Sequence, residues 1–310
     1  MSFSRLQRRI DELRNPTVVG LDPDLAHIPD FILNKHIREH GEGLEAAALA
    51  VYEWGTGLID ALCDVVPAVK PQSAFYEALG PHGVLTLKKT CDYARSKGMY
   101  VIVDAKRGDI GSTAAAYASA YLGSITVGNS SFSPFTADAL TVNAYLGSDG
   151  VLPFLSAAKQ NDRAIFALVK TSNPSAGELQ DKIVTCETGD GSLSHSKVYT
   201  LVGDLLAEIS KDSLDDMGFS RIGAVVGATY PEESAFLRAR LPNTFFLVPG
   251  YGAQGASAAD VAVAFNGDGK GAIVNSSRGI IAAWKKSGGS FAEAARDAAI
   301  AMRDELRGVI

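Results

Sequence analysis

Three charged side chains, Asp104, Lys106 and Asp109, fall within six positions at the end of an apolar run, Tyr100-Val101-Ile102-Val103. An acid, a base and a second acid this close can move protons and stabilise charge as it develops on a bound molecule. Burying such charges is costly unless they are paired, so a place at the rim of a buried strand points to function. A structural salt bridge at a strand end is the alternative reading. Side chains alternate along a strand, which predicts that Asp104 and Lys106 face the same way. Asp109 lies past the strand, beside glycines, where the chain turns. Ser112 or Thr113 is then expected to cap a helix through residues 114–121.

Polar residues recur at the ends of other apolar runs. Asp22 follows residues 17–21, Lys70 lies near the end of 68–72, and Asn143 closes 139–143. Ser172 follows 164–170, Gln254 lies just after 245–248, and Arg278 follows 271–275. The stretch Gly250-Tyr251-Gly252-Ala253-Gln254-Gly255 has the form G-x-G-x-x-G. It comes too late in the chain for a dinucleotide-binding half, and no acid ends the next strand, which reads Asn275-Ser276-Ser277-Arg278. Its glycines instead let backbone N–H groups approach an anion, with Arg278 as a charged clamp. A surface ion pair is the plainer reading of Arg278.

Histidine is not expected to be catalytic. His36 and His40 stand at i, i+4 without a third ligand, which favours a solvated helix face; His82 and His195 lie in loops. No H-x-H, H-E-x-x-H or carboxylate cluster suggests a metal. There is no G-x-S-x-G nucleophile turn. The ionisable chemistry is therefore that of lysine and aspartate, with no metal in evidence.

The elements that must position these residues alternate along the chain. A short amphipathic helix is expected at 4–14, then strands at 17–21, 68–72, 100–104, 139–143, 164–170, 222–227, 245–248 and 271–275. Helices are expected at 44–65, over much of 75–97, within 147–160, and at 198–217, 231–240 and 257–265, with a closing pair near 280–285 and 290–307. Residues 24–43 read as a loop with a short helix, and 175–196 as a polar excursion of the kind that forms lids. Near-continuous apolar strands alternating with helices mean an α/β fold with a covered parallel sheet. Eight such units fit a closed (β/α)8, or TIM, barrel, expected as a single domain over 1–310 with an N-terminal helix and a loop excursion near 177–196. A doubly wound open sheet is the runner-up. The barrel is preferred because the polar residues above would then converge on one mouth.

The bulk numbers fit this picture. The chain has 310 residues, 46% hydrophobic and 21% charged, with a net charge of −6. That balance argues against a nucleic-acid partner. Three scattered cysteines, Cys63, Cys91 and Cys186, form no C-x-x-C pair and fit a reducing cytoplasm. No run approaches a membrane span, and the N-terminus has no secretory pattern.

The run Asp104-Ala105-Lys106-Arg107-Gly108-Asp109-Ile110-Gly111-Ser112-Thr113 resembles the signature of the orotidine 5′-phosphate decarboxylases. The resemblance extends to Leu21-Asp22-Pro23, Lys70, Thr171-Ser172-Asn173-Pro174, the 249–255 loop and Ser277-Arg278-Gly279, and its length is that of the longer subgroup. Related metal-dependent sugar-phosphate enzymes share Asp-x-Lys-x-x-Asp but carry a carboxylate where this chain has Lys70. The resemblance implies cofactor-free loss of CO2 from orotidine 5′-phosphate to give uridine 5′-phosphate. It implies that Lys106 protonates C6 and that Asp104 sits near the substrate carboxylate. Lys70 would bridge Asp104 and the ribose, and Asp22 would accept from a ribose hydroxyl. Ser172 would meet the pyrimidine edge, and Gln254 and Arg278 the phosphate. Asp109 and Thr113 would reach into the partner subunit's site, which implies a homodimer.

Overall fold

The computed structural model describes residues 2–187, 189, 191–252 and 255–310. Eight parallel strands close a barrel: β1 (Thr17–Leu21), β2 (Ala68–Pro71), β3 (Tyr100–Arg107), β4 (Ala139–Val142), β5 (Ala164–Lys170), β6 (Ile222–Val226), β7 (Phe246–Val248) and β8 (Ala272–Ser276). Each pairs with its neighbours in chain order, and β8 closes on β1 with Thr17 opposite Val274. The open-sheet alternative is thereby excluded.

Strand periodicity sorts the core into two layers. Val19, Val69, Val101, Leu140, Ile165, Ala224, Phe246 and Val274 face outward, where they pack with residues of the surrounding helices. The alternate positions face inward. Low in the barrel these are Val18, Ala68, Ile102, Ala139, Phe166, Phe245 and Ile273, all buried and apolar. The helix α1 (Ser2–Leu13) plugs that end with Phe3, Leu6 and Ile10. Phe3 stacks on Phe245 at 5.0 Å and tilts against Phe166 at 4.9 Å. Continuing up the same inward rows, the residues turn polar: Lys70 on β2, Asp104 on β3, Thr141 on β4 and Asn275 on β8.

Several elements differ from the expectation. The helix expected at 198–217 ends at Ser210. Beyond it, the Asp215 carboxylate accepts from the backbone N–H groups of Met217 and Phe219 and from Ser4 of α1, so this segment is a clamp for the plug. Residues 24–43 hold a full helix, α2 (Asp30–His40), packed on α3 (Leu44–Leu62). The polar excursion contains an antiparallel hairpin, Ile183–Glu187 with Leu193–Lys197. A second hairpin, Ile125–Val127 with Ser130–Phe132, lies outside the expected elements because its strands are wholly exposed and carry no core pattern. Among the described residues, no helix is long and apolar enough to cross a membrane.

Candidate active site

The inward row on β3 passes through Ile102 to Asp104, which is only 6% exposed. A carboxylate that deep needs partners. Lys70 Nζ donates to its Oδ2 at 2.8 Å, and Gln72 Nε2 to the same oxygen at 3.0 Å. Its Oδ1 accepts from Lys106 Nζ at 2.6 Å and from Thr141 Oγ1 at 2.9 Å. Burial would push the Asp104 carboxyl up, but Lys70 and Lys106 outweigh it and hold it well below the usual carboxylate range. Burial likewise works to lower Lys70, yet Asp104 and then Asp22 leave it above its ordinary value. Both groups are charged at neutral pH.

Lys106 reaches Asp104 by more than strand alternation. Its φ is +48°, a left-handed conformation that costs a non-glycine residue about 1 kcal/mol. The β3–β4 pairing steps there from Val103 opposite Leu140 to Arg107 opposite Val142. Three residues of β3 therefore face Thr141, whose Oγ1 also accepts from the Lys106 backbone N–H at 2.9 Å. The bulge lifts the lysine out of the buried row, and its side chain is 47% exposed.

The resulting cavity has a volume of about 420 Å³. Lys70, Asp104 and Lys106 form its charged side, with Thr141 and Asn275 beside them. Leu168, Val225, Leu247 and Pro249 give it an apolar wall, and Thr171, Ser172, Asn173 and Gln180 belong to its rim. Gln180 is held by Thr171, accepting from its backbone N–H at 2.9 Å and donating to its Oγ1 at 2.7 Å. The neighbouring Asp181 is gripped by Lys170 Nζ at 2.7 and 2.8 Å, and that buried lysine lies 4.2 Å from the centre of the Tyr230 ring. These contacts fasten the base of the 175–196 excursion to the rim. Thr141, Gln180 and Asn275 are site residues that the sequence reading does not single out. The inward parity of Thr141 and Asn275 could have found them, whereas Gln180 carries no signal.

The other expected site residues are distributed as follows. Ser172 lies in the cavity rim. Asp22 is half-buried beyond β1, its Oδ1 has no hydrogen-bond partner among the described residues, and its charge acts on Lys70. Arg278 is exposed at the start of a one-turn helix, Arg278–Ile281, outside the cavity lining. Gln254 lies outside the described residues. Gly252 and Gly255 both have positive φ, 67° and 97°, and turn the loop on either side of it. Asp109 and Thr113 are not brought to this chain's own cavity. Asp109 Oδ1 accepts from the Ile110 N–H at 2.8 Å, and Thr113 is exposed. Neither Ser112 nor Thr113 caps the helix that follows: it begins at Gly111, with Ile110 at the cap position. Gly111 takes φ +54° and starts the helix a turn earlier than expected.

Comparison with known proteins agrees with this fold. Residues 56–288 match the model of the orotidine 5′-phosphate decarboxylase / HUMPS family. An orotidine 5′-phosphate decarboxylase of Rhodopirellula baltica is 44% identical over 316 residues, covering 99% of this chain and 100% of the relative. One from Clostridium tetani is 37% identical and covers 99% and 98%. Among solved structures, the OMP decarboxylase of Leishmania donovani superposes with a TM-score of 0.71 at 30% identity, covering 99% of this chain and 98% of that one.

Proposed function

The chain belongs to the orotidine 5′-phosphate decarboxylase / HUMPS family, and from that membership we propose roles for its residues in the family's decarboxylation chemistry. The reaction is the conversion of orotidine 5′-phosphate to uridine 5′-phosphate and CO2, in pyrimidine biosynthesis. Breaking the bond from C6 to the carboxylate releases CO2 and leaves an electron pair on C6. A proton must then reach that carbon.

The observation that carries the reading is one buried carboxylate held between two lysines of unequal exposure. Lys106 is the proton donor. Its ammonium lies at the cavity wall, stabilises the carbanion as it forms, and forms the new C6–H bond. The amine left behind takes a proton back from water. Asp104 fixes Lys106 at 2.6 Å and lies where the substrate carboxylate must pass. Lys70, enclosed and bonded to Asp104, keeps it ionised and in place. The apolar wall of Leu168, Val225 and Leu247 suits a planar pyrimidine, with Ser172 at its polar edge. Asp22 serves the ribose, and Gln254 and Arg278 serve the phosphate.

Asp109 and Thr113 serve a second copy of the chain. Around them Ile110, Tyr145 and Leu146 are exposed, Tyr145 to 78%, an apolar surface that a homodimer would cover. The Asp109 carbonyl and Leu146 both lie against Gly150, so these loops form one face. A cytoplasmic setting fits the three free cysteines.

The test is direct. Purified protein is mixed with orotidylate and the fall in its absorbance is followed with and without a chelator. Turnover that resists the chelator is expected. Activity that the chelator abolishes would move the chain to the metal-dependent side of its family.

A further inference from the structure

The α2–α3 pair carries a cluster that the barrel mouth does not use. His36-Ile37-Arg38-Glu39-His40 places two imidazoles and a carboxylate at i, i+3 and i+4, one face of a helix. The solvated face expected from sequence forms at His40, which is exposed, but not at His36, which is only 8% exposed. Its ring stacks on that of His40, with centroids 5.9 Å apart and planes 21° from parallel. One donor atom from each of His36, Glu39 and His40 lies within 4.8 Å of the other two.

The roles of the two His36 ring nitrogens follow from their neighbours. Its Nε2 meets Glu53 Oε2 of α3 at 2.7 Å, and Lys35 Nζ donates to the same oxygen at 2.8 Å. A carboxylate only accepts, so the neutral ring carries its proton on Nε2. Nδ1 then keeps a bare lone pair, buried and without a partner among the described residues. A ring with one nitrogen committed to a carboxylate and the other left as a free lone pair is in the state of a metal ligand.

We propose that His36, Glu39 and His40 bind a divalent metal ion of the zinc class. His36 Nδ1 is the buried ligand, His40 and Glu39 are the outer ones, and water completes a tetrahedron. Glu53 orients the buried imidazole, and Lys35 balances the charge of Glu53. Two nitrogens and one oxygen favour zinc, cobalt or nickel over calcium or magnesium. Ligand atoms sit about 2 Å from zinc, so the 4.8 Å spread closes by rotation of the exposed Glu39 and His40 side chains. The ion would clip α2 in its packed position on α3. None of these residues lines the mouth cavity, so the site is separate from the decarboxylation.

Tag-free full-length protein, stripped with chelator and titrated with Co2+, tests this. One equivalent is expected to give the visible absorption of tetrahedral cobalt, which Zn2+ then abolishes by displacement. Glu53→Gln should weaken the metal about tenfold, the usual scale for losing an outer partner, and His40→Ala by more. His36→Gln can disturb packing, so the deciding variants are His40→Ala and Glu39→Gln, both at exposed positions. Orotidylate turnover by these two variants is expected at the wild-type rate and serves as the control for folding. Absence of the visible band, or an affinity that His40→Ala leaves unchanged, overturns the proposal.

Discussion

Among the described residues the barrel holds two buried aspartates, one at each end, and both are wrapped in cations. At the plugged end Asp138 is 1% exposed; it accepts from the Val101 N–H at 2.9 Å, from Arg95 at 2.8 Å and from Arg163 at 2.6 Å, and Arg5 of α1 pairs with it too. At the mouth Asp104 is held by Lys70, Lys106, Gln72 and Thr141. Both clusters join a carboxylate to cations from separate elements. They differ in the cation and in what lies beyond it. Arginine stays protonated in proteins and suits a fixed joint, whereas lysine can give up its proton. The arginines of Asp138 tie the N-terminal helix and two strand entrances together. Lys106 instead stands on a bulge beside a cavity of about 420 Å³. Burial and pairing of charge do not by themselves mark a catalytic centre; the proposed one adds a lysine with access to a cavity.

Four experiments put this contrast at risk. Lys106→Ala should lower kcat by on the order of 10⁴-fold or more, the upper range for a lost general acid, while thermal unfolding changes little. Ordinary decarboxylation by this variant would erase the distinction between the two ends. Asp138→Asn should do the reverse. It leaves three arginines facing a neutral amide and should cost about 3 kcal/mol of stability in urea unfolding, with kcat of the folded fraction kept. Acid should act through Asp104. Its folded carboxyl is held below the usual range, so its stabilisation is complete above the unfolded value of about 4 and is lost as pH falls through the lower folded value. The stability gap between wild type and Asp104→Asn should therefore narrow below about pH 4, and a gap constant with pH would mean Asp104 is not held in its charged form. Arg278→Ala should raise KM by roughly 10–100-fold with a smaller change in kcat, as for the loss of one charged hydrogen-bonding group. An unchanged KM would put the phosphate elsewhere.

The barrel is legible in the sequence because parallel strands buried on both faces are continuous apolar runs. Thr17–Leu21 and Ala164–Lys170 form with the bounds their sequences indicate. The cluster of Lys70, Asp104 and Lys106 is legible for a related reason: a charge at the end of such a run has one place to go, the mouth. The bulge at Lys106 is not, since no glycine or asparagine marks its left-handed backbone; the strain is imposed by pairing with β4. Asp138 escapes notice because its partners at 5, 95 and 163 are brought together only by barrel closure. The burial of His36 is hidden because helical spacing gives a face but not its neighbour, and the neighbour is α3. The exposed hairpin at 125–132 bears no buried pattern from which pairing could be inferred.

The backbone of Lys106 has a consequence for anyone who sets out to improve this chain. Glycine adopts a φ of +48° at little cost, so by backbone preference alone Lys106→Gly gains about 1 kcal/mol. Against that gain stands the loss of the 2.6 Å bond from Lys106 Nζ to the buried Asp104 carboxylate. A screen for heat survival weighs only these two terms and is blind to proton transfer, so a stabilised lineage needs turnover in every round to guard its lysine.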